Sequence, residues 1–384
     1  MGLKRKIAVF IWACLIGMLL CTNVCASSVT ESDTALDQYL SQTLDELWAE
    51  LSPQLPSQAQ EAMDEVEIDG ISSLLSMTPG QLIEQVLILL HNQLDYPMEV
   101  VGRLIAIVLL CAMVQAVCSS SLSQQLQQIF SITAVACMVS FLSQPVLQCI
   151  ERTVQALHEC ALFMMSFAPV MSSVVIAGGN PASAGGYNLF LFFACQVIAQ
   201  LASQTLVPLL SIYLALCIVG PLAPFLKMDS ITGAIRSVVC WGLGILTTIF
   251  VGMLSLQTVI STGGDSLLLK TSRFLAGSFI PVIGGTISDA LGAARGCVQV
   301  MKSVIGSTGI AVAALTFLPV LLEVGLWYLA VKVSAWAAQM LDAKQGAALL
   351  LSIAQTFSVL LAMIVCFMLL VLVSTALLMM LTVG

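Results

Sequence analysis

Residues 303–330 read SVIGSTGIAVAALTFLPVLLEVGLWYLA, 28 residues with one charged side chain, Glu323. As a helix this run is about 42 Å long, more than the roughly 30 Å of hydrocarbon in a bilayer. A helix on the surface of a soluble domain keeps a charged or strongly polar face, and this run has none. It reads as a membrane span. The whole chain agrees: of 384 residues 59% are hydrophobic and 9% charged, with a mean hydropathy of +1.02. No water-soluble domain needs that much apolar sequence to fill its core.

Outward from this run, others of similar character lie near 100–119, 129–149, 161–178, 187–204, 206–225, 237–260 and 347–382. The expected fold class is all-α, a polytopic helical membrane protein with about seven or eight crossings in a domain spanning 99–384. The count is left at seven or eight because 187–225 fits two spans or one broken element, and 347–382 is longer than one crossing requires. Basic residues do not fix the orientation. Lys227, Arg236, Lys332 and Lys344 on one side nearly balance Arg152, Lys270, Arg273, Arg295 and Lys302 on the other. The link GGNPASAGGYN (178–188) reads as a tight turn at the surface. The alternative is a break at membrane depth, which survives only where protein or a water-filled cavity satisfies the freed backbone groups.

The N-terminus begins with basic MGLKRK, continues through apolar IAVFIWACLIGMLLC and ends in small-residue NVCASS. Val24 and Ala26 stand where a signal peptidase reads, so residues 1–26 are expected to be a signal peptide cleaved after Ala26. An uncleaved first helix is the alternative. Residues 27–98 then form a small, acidic, helical extracytoplasmic segment: from Ser27 to Glu99 there are fourteen of the chain's 21 acids and no Lys or Arg. TALDQYLSQTLDELWAEL (34–51) places Leu36, Leu40, Leu44, Leu47 and Leu51 at helical spacing. After Pro53 and Pro56 comes the acidic EAMDEVEIDG (61–70). TPGQLIEQVLILLHNQLD (78–95) then starts a second helix, with Thr78, Pro79 and Gln81 as cap, first-turn proline and capping-box partner. These helices suit a docking surface for another protein, or packing on the chain's own membrane domain.

Several function classes are disfavoured. With no clustered basic face, nucleic-acid binding is not expected. His91 and His158 are the two histidines and have no metal-ligand spacing, so neither a metal nor a cofactor is expected. No GxxxxGK[ST] loop occurs, so any energy for transport comes from a partner or a gradient. Ten of the thirteen cysteines fall in or beside apolar runs without a CxxC pair and read as small buried hydrophobes. No catalytic set is visible, and the chain is expected not to be an enzyme.

Two places carry candidate functional residues. Glu323 is an acid inside an apolar run, four residues after the helix-loosening Pro319, and suits a polar pathway, a place near the membrane interface, or a pair with a base on a neighbouring helix. The second is GSFIPVIGGTISDALGAARG (277–296). There Ser288, Gly292 and Gly296 recur every four residues, as do Gly277, Pro281 and Gly285, a spacing that lets helix backbones approach closely. Close packing within one chain and self-association both fit it. Asp289 and Arg295 lie six apart, about 240° around a helix, and cannot pair on one face. With Gly284 beside Gly285 and bases on both flanks, 267–302 is expected to be a re-entrant or interfacial element lining the bundle, an amphipathic surface helix being the alternative.

At these residues, FLAGSFIPVIGGTISDALG (274–292) and NPASAGGYNLFLFFACQ (180–196), and in its overall layout, the chain resembles the stage III sporulation protein AE family. The resemblance implies a multi-pass protein of the mother-cell membrane, the outer forespore membrane, within a secretion-like complex that joins mother cell and engulfed forespore. It implies a need for that complex in late forespore gene expression and a role as permease or export-gate part. The implied partners are the other stage III proteins, including an ATPase and ring-forming membrane proteins, with a membrane insertase during biogenesis. A scaffold that moves nothing, and an independent transporter, are the alternatives. The family carries no catalytic residues onto this chain.

Overall fold

The computed structural model describes residues 55–65, 93–94, 96–110, 112–113, 124–177, 181–200, 204–205, 207–222, 228–279 and 284–380. The signal segment with Ala26, the 34–51 helix, most of the 78–95 helix and Pro281 lie outside the described residues. Among the described residues there is no strand. The described residues form eight helices: α1 (Ser57–Glu65), α2 (96–110), α3 (Gln124–Ala177), α4 (Pro181–Gln200), α5 (Val207–Leu222), α6 (Met228–Phe279), α7 (Gly284–Met340) and α8 (Lys344–Met380). Four stretches, Ile132–Ala177, Ile231–Leu256, Val304–Met340 and Lys344–Ala376, are long and apolar enough to cross a membrane, and Ala184–Val197 and Pro208–Gly220 are shorter apolar helices.

The apolar runs at 129–149 and 161–178, expected as separate spans, belong to one helix of 54 residues, about 80 Å long. The charged residues between them, ERTVQALHE (151–159), are therefore a polar band on a continuous helix. Pro145 and Pro169 both sit inside α3. Each removes one backbone hydrogen bond, a loss that packed neighbours tolerate better than open solvent would.

Of the link 178–188, expected as a tight turn, the described residues 181–188 are helical: α4 begins at Pro181, whose missing N–H costs no hydrogen bond at a first helical position. α3 and α4 pack as a hairpin in which Ser172 Oγ donates to the Ala184 carbonyl at 3.4 Å. α4 packs on α3 and α6, and α5 on α8 and α6. Along α8, Tyr187 meets Ser374 at 3.0 Å near one end, and Tyr213 donates to Gln355 at 3.5 Å nearer the other. The described part of 187–225 is thus two helices, α4 and α5, with π-helical residues 204–205 before α5.

α8 is the centre of the bundle, with α3, α5, α6 and α7 packed around it. α7 and α8 form the longest hairpin. Its turn is a Schellman motif: the Ala343 N–H donates to the Ala338 carbonyl at 3.0 Å and the Asp342 N–H to the Gln339 carbonyl at 3.2 Å. Asp342 holds the left-handed position at φ 54° where glycine is usual, which a short polar side chain tolerates best among non-glycines.

Buried hydroxyls inside these helices bond backward to the carbonyl four residues earlier: Thr153 to Cys149, Thr316 to Val312, Ser334 to Ala330 and Thr375 to Val371. This satisfies them without a partner helix. Close approach between α3 and α7 depends on Gly309, since a Cβ there would lie 2.6 Å from Cζ of the fully buried Phe167, itself stacked on Phe163. We expect Gly309→Ala to destabilise the protein. The contact costs about 1–3 kcal/mol against about 1 kcal/mol of helix propensity gained. Phe167→Leu, which costs packing of its own, removes the contact, so Gly309→Ala should cost less in that background. Thermal unfolding in detergent would show Gly309→Ala lowering Tm in the wild-type background and lowering it less, or raising it, beside Phe167→Leu; an unchanged single variant would mean that Phe167 moves aside freely.

Candidate functional site

The nine-residue polar band of α3 sets Glu151, Arg152, Gln155, His158 and Glu159 at positions i, i+1, i+4, i+7 and i+8, one face of the helix. The first four are exposed. Arg152 Nη1 lies 3.0 Å from Glu323 Oε2 of α7, joining residues 171 apart in sequence. The Glu323 side chain is 17% exposed and that of Arg152 is 59%, so the acid is the inner partner and the base reaches the outer face. Of the three sequence readings of Glu323, pairing with a base on a neighbouring helix is what the structure contains. Pro319 lies one turn away inside α7.

Seven residues along α3, about two turns, Glu159 makes the second polar junction. Its carboxylate accepts from the Ser57 backbone N–H at 2.7 Å, from Ser57 Oγ at 2.8 Å and from Gln155 Nε2 at 2.7 Å. A negative group at the start of α1 meets an N–H with no partner inside its own helix, and the helix dipole favours it. Leu55, Ala59 and Met63, one face of the segment, are buried in the main core, and α1 packs against α7. For residues 55–65, part of the acidic segment, packing on the chain's own helices is therefore the arrangement found. The sequence showed these residues only as an acidic stretch after two prolines; the i, i+4, i+8 spacing of Leu55, Ala59 and Met63 was the available signal.

The glycine-rich candidates are placed differently. Residues 267–279 continue α6 to its end, and Gly284, Gly285, Asp289, Gly292, Arg295 and Gly296 lie in the opening turns of α7. The described part of 267–302 is thus the ends of two long helices and not a separate element. Nothing described brings Asp289 or Arg295 to the Arg152–Glu323 pair. Further along α7, the Lys332 amine donates to Tyr328 OH at 2.6 Å and lies 4.7 Å from its ring centroid and 5.8 Å from that of Trp336. Such a cation on aromatic faces is typical of a helix portion approaching a membrane surface.

Among the described residues no cluster of His, Cys, Asp and Glu is arranged to hold a metal ion. What the site offers chemically is a charged pair and a polar face on long apolar helices.

Helix lengths, the polar face and the central apolar α8 define a class: a protein whose described residues are all helical, with four helices long and apolar enough to cross a membrane. The model of the family described as Stage III sporulation protein AE matches residues 63–382, and the chain belongs to that family. It is similar to the Stage III sporulation protein AE of Bacillus subtilis (strain 168), with 22% identity over 243 residues, covering 62% of this chain and 59% of that protein. That match thus spans less than two thirds of the relative's length. No solved structure matches the chain.

Removing the carboxylate that caps α1 should loosen its docking. Glu159→Ala is expected to cost about 1 kcal/mol, the usual price of a lost helix cap, or about fivefold in the population of undocked α1. A cysteine placed at buried Met63 would then react with a thiol reagent about that much faster than with Glu159 intact. Equal rates would show that the Glu159 contacts contribute nothing to holding α1.

Proposed function

We infer that this chain is a multispanning component of the complex that connects mother cell and forespore during sporulation, in the mother-cell (outer forespore) membrane, and that it acts as a permease or export-gate part. The observation that carries this reading is the Arg152–Glu323 pair, set in the middle of long apolar helices beside exposed Gln155 and His158. Charged groups at such depth are costly and are retained where they line or guard a polar route. No nucleotide-hydrolysing motif is legible in the sequence, which suits a conduit driven by a partner ATPase, with ring-forming membrane proteins continuing the passage. In this reading the chain performs no catalysis, holds no cofactor and enters the membrane with the help of an insertase.

Deletion of the gene, scored by a late forespore-specific transcriptional reporter after engulfment, tests the assignment to the complex. Loss of signal with engulfment complete is expected; normal signal and normal spores would end the sporulation reading. In that background Glu323→Gln is expected to bring the reporter close to the deletion's level while the protein still accumulates in the membrane. Arg152→Glu combined with Glu323→Arg restores the pair but reverses its field. Full activity of that swapped variant would make the pair a packing device only, and full activity of Glu323→Gln would remove it from any pathway.

A further inference from the structure

The contacts between helices place several residues at similar heights. α3 and α7 run antiparallel, with Arg152 at Glu323 and Phe167 at Gly309, so Glu159 lies between those two levels. Trp327 of α7 stacks on Phe357 of α8 at 6.4 Å between centroids, and nine residues further along α8 Cys366 meets Thr247 of α6. Nine residues is about 13 Å, and Trp327 stands about 16 Å along α7 from the level of Glu159. The Ser57–Glu159 junction and the Thr247–Cys366 contact therefore lie within about one helical turn of each other in height, and Thr247 is inside the apolar stretch Ile231–Leu256 of α6.

At that height two parts of the protein surface have opposite character. On α6, Ile245, Ile249 and Met253 are exposed, at 37%, 55% and 48%. On α3 and α1 the exposed residues at this level are Gln155, His158, Ser57, Gln60 and Glu61, with Leu162, 51% exposed, one turn beyond His158. α6 packs on α4, α5 and α8, whereas α1 packs on α7 and hydrogen-bonds α3. A surface that carries Ile249 suits hydrocarbon. One that carries Glu61 and His158 does not, because moving exposed polar side chains from water into hydrocarbon is costly. The apolar side of α1 is already spent on the core through Leu55, Ala59 and Met63, so its polar side must look outward.

We propose that α1 lies within the membrane thickness as a strap across the α3–α7 seam, and that the face formed by α1 and the polar band of α3 borders an aqueous pathway. The proposal rests on the permease reading for its use but not for its geometry. The polar face supplies a carboxylate, a guanidinium, an imidazole and amides, so its occupant is water and a hydrophilic solute, not lipid. Glu159 ties the strap to α3 through Ser57, and displacement of that end would bare the Arg152–Glu323 pair.

Single cysteines at Gln60, Gln155 and His158, and at Ile249 and Met253, would be introduced into the full chain. Membranes from sporulating cells, opened to both sides, would then be treated with a charged, membrane-impermeant maleimide, and labelling measured above the wild-type background. Because the reactive thiolate forms in water and is suppressed in an apolar medium, the first three should label about tenfold faster or more than the α6 pair. Uniformly slow labelling would overturn the aqueous face, and uniformly fast labelling would overturn its placement at membrane depth. Labelling reads water access and the reporter reads export. Fast labelling of the polar face with an indifferent Glu323→Gln strain would therefore keep this inference and end the permease reading.

Discussion

Between its first residue, Lys344, and its last, α8 carries no charge, and the other long helices are arranged around it. In hydrocarbon, apolar side chains gain little by meeting each other instead of lipid, so helices are held by close packing and by hydrogen bonds between them. The contacts to α8 have that form. Ser374 meets Tyr187, Gln355 meets Tyr213, Cys366 meets Thr247, and Gly346 leaves room for Met138 of α3. Each is a small or singly polar residue on an otherwise greasy helix. α3, α4, α5 and α6 each meet α8 at one of these points, and α7 is joined to it through the hairpin turn.

That arrangement gives α3 a double character. Its buried side, with Val146, Cys149, Leu157 and Phe163, packs in the core, while the band from Glu151 to Glu159 turns charged and amide groups outward. One helix thus meets apolar protein on one side and a polar medium on the other. α6 presents the opposite case, with Trp241, Ile249 and Leu256 outward and glycines 242, 244 and 252 among them with open space where a Cβ would be. The bundle does not have one uniform lipid-facing belt, and a conduit built at its polar face would not pass through the middle of a single chain.

Much of this was legible from sequence. The all-helical class followed from run lengths and composition, and Glu323 was marked by its setting in an apolar run. The interval 187–225 was left as two spans or one broken element, and its described residues form two short helices; the link at 178–188 was read as a tight turn, whereas its described residues 181–188 already belong to α4. What could not be read was which base meets Glu323. Arg152 lies 171 residues away, in a stretch that looked like a loop between two spans. A nine-residue polar interval fits a loop or two and a half helical turns equally well, and only tertiary packing chooses between them. The same holds for α1, whose acidic composition hid a short apolar face. The glycine-rich segment was distinctive as sequence, yet its described residues prove to be the ends of α6 and the start of α7.

The distance in sequence between Arg152 and Glu323 also has a meaning in time. At about 5–20 residues per second of synthesis, roughly 10–30 s pass after Arg152 is made before its carboxylate partner exists. For that interval α3 holds a guanidinium on an apolar helix with no counter-charge from α7. A nascent α3 is therefore a poor candidate for settling alone in lipid. Its insertion is expected to be completed late, from a sheltered environment, when α7 and α8 arrive together as a hairpin.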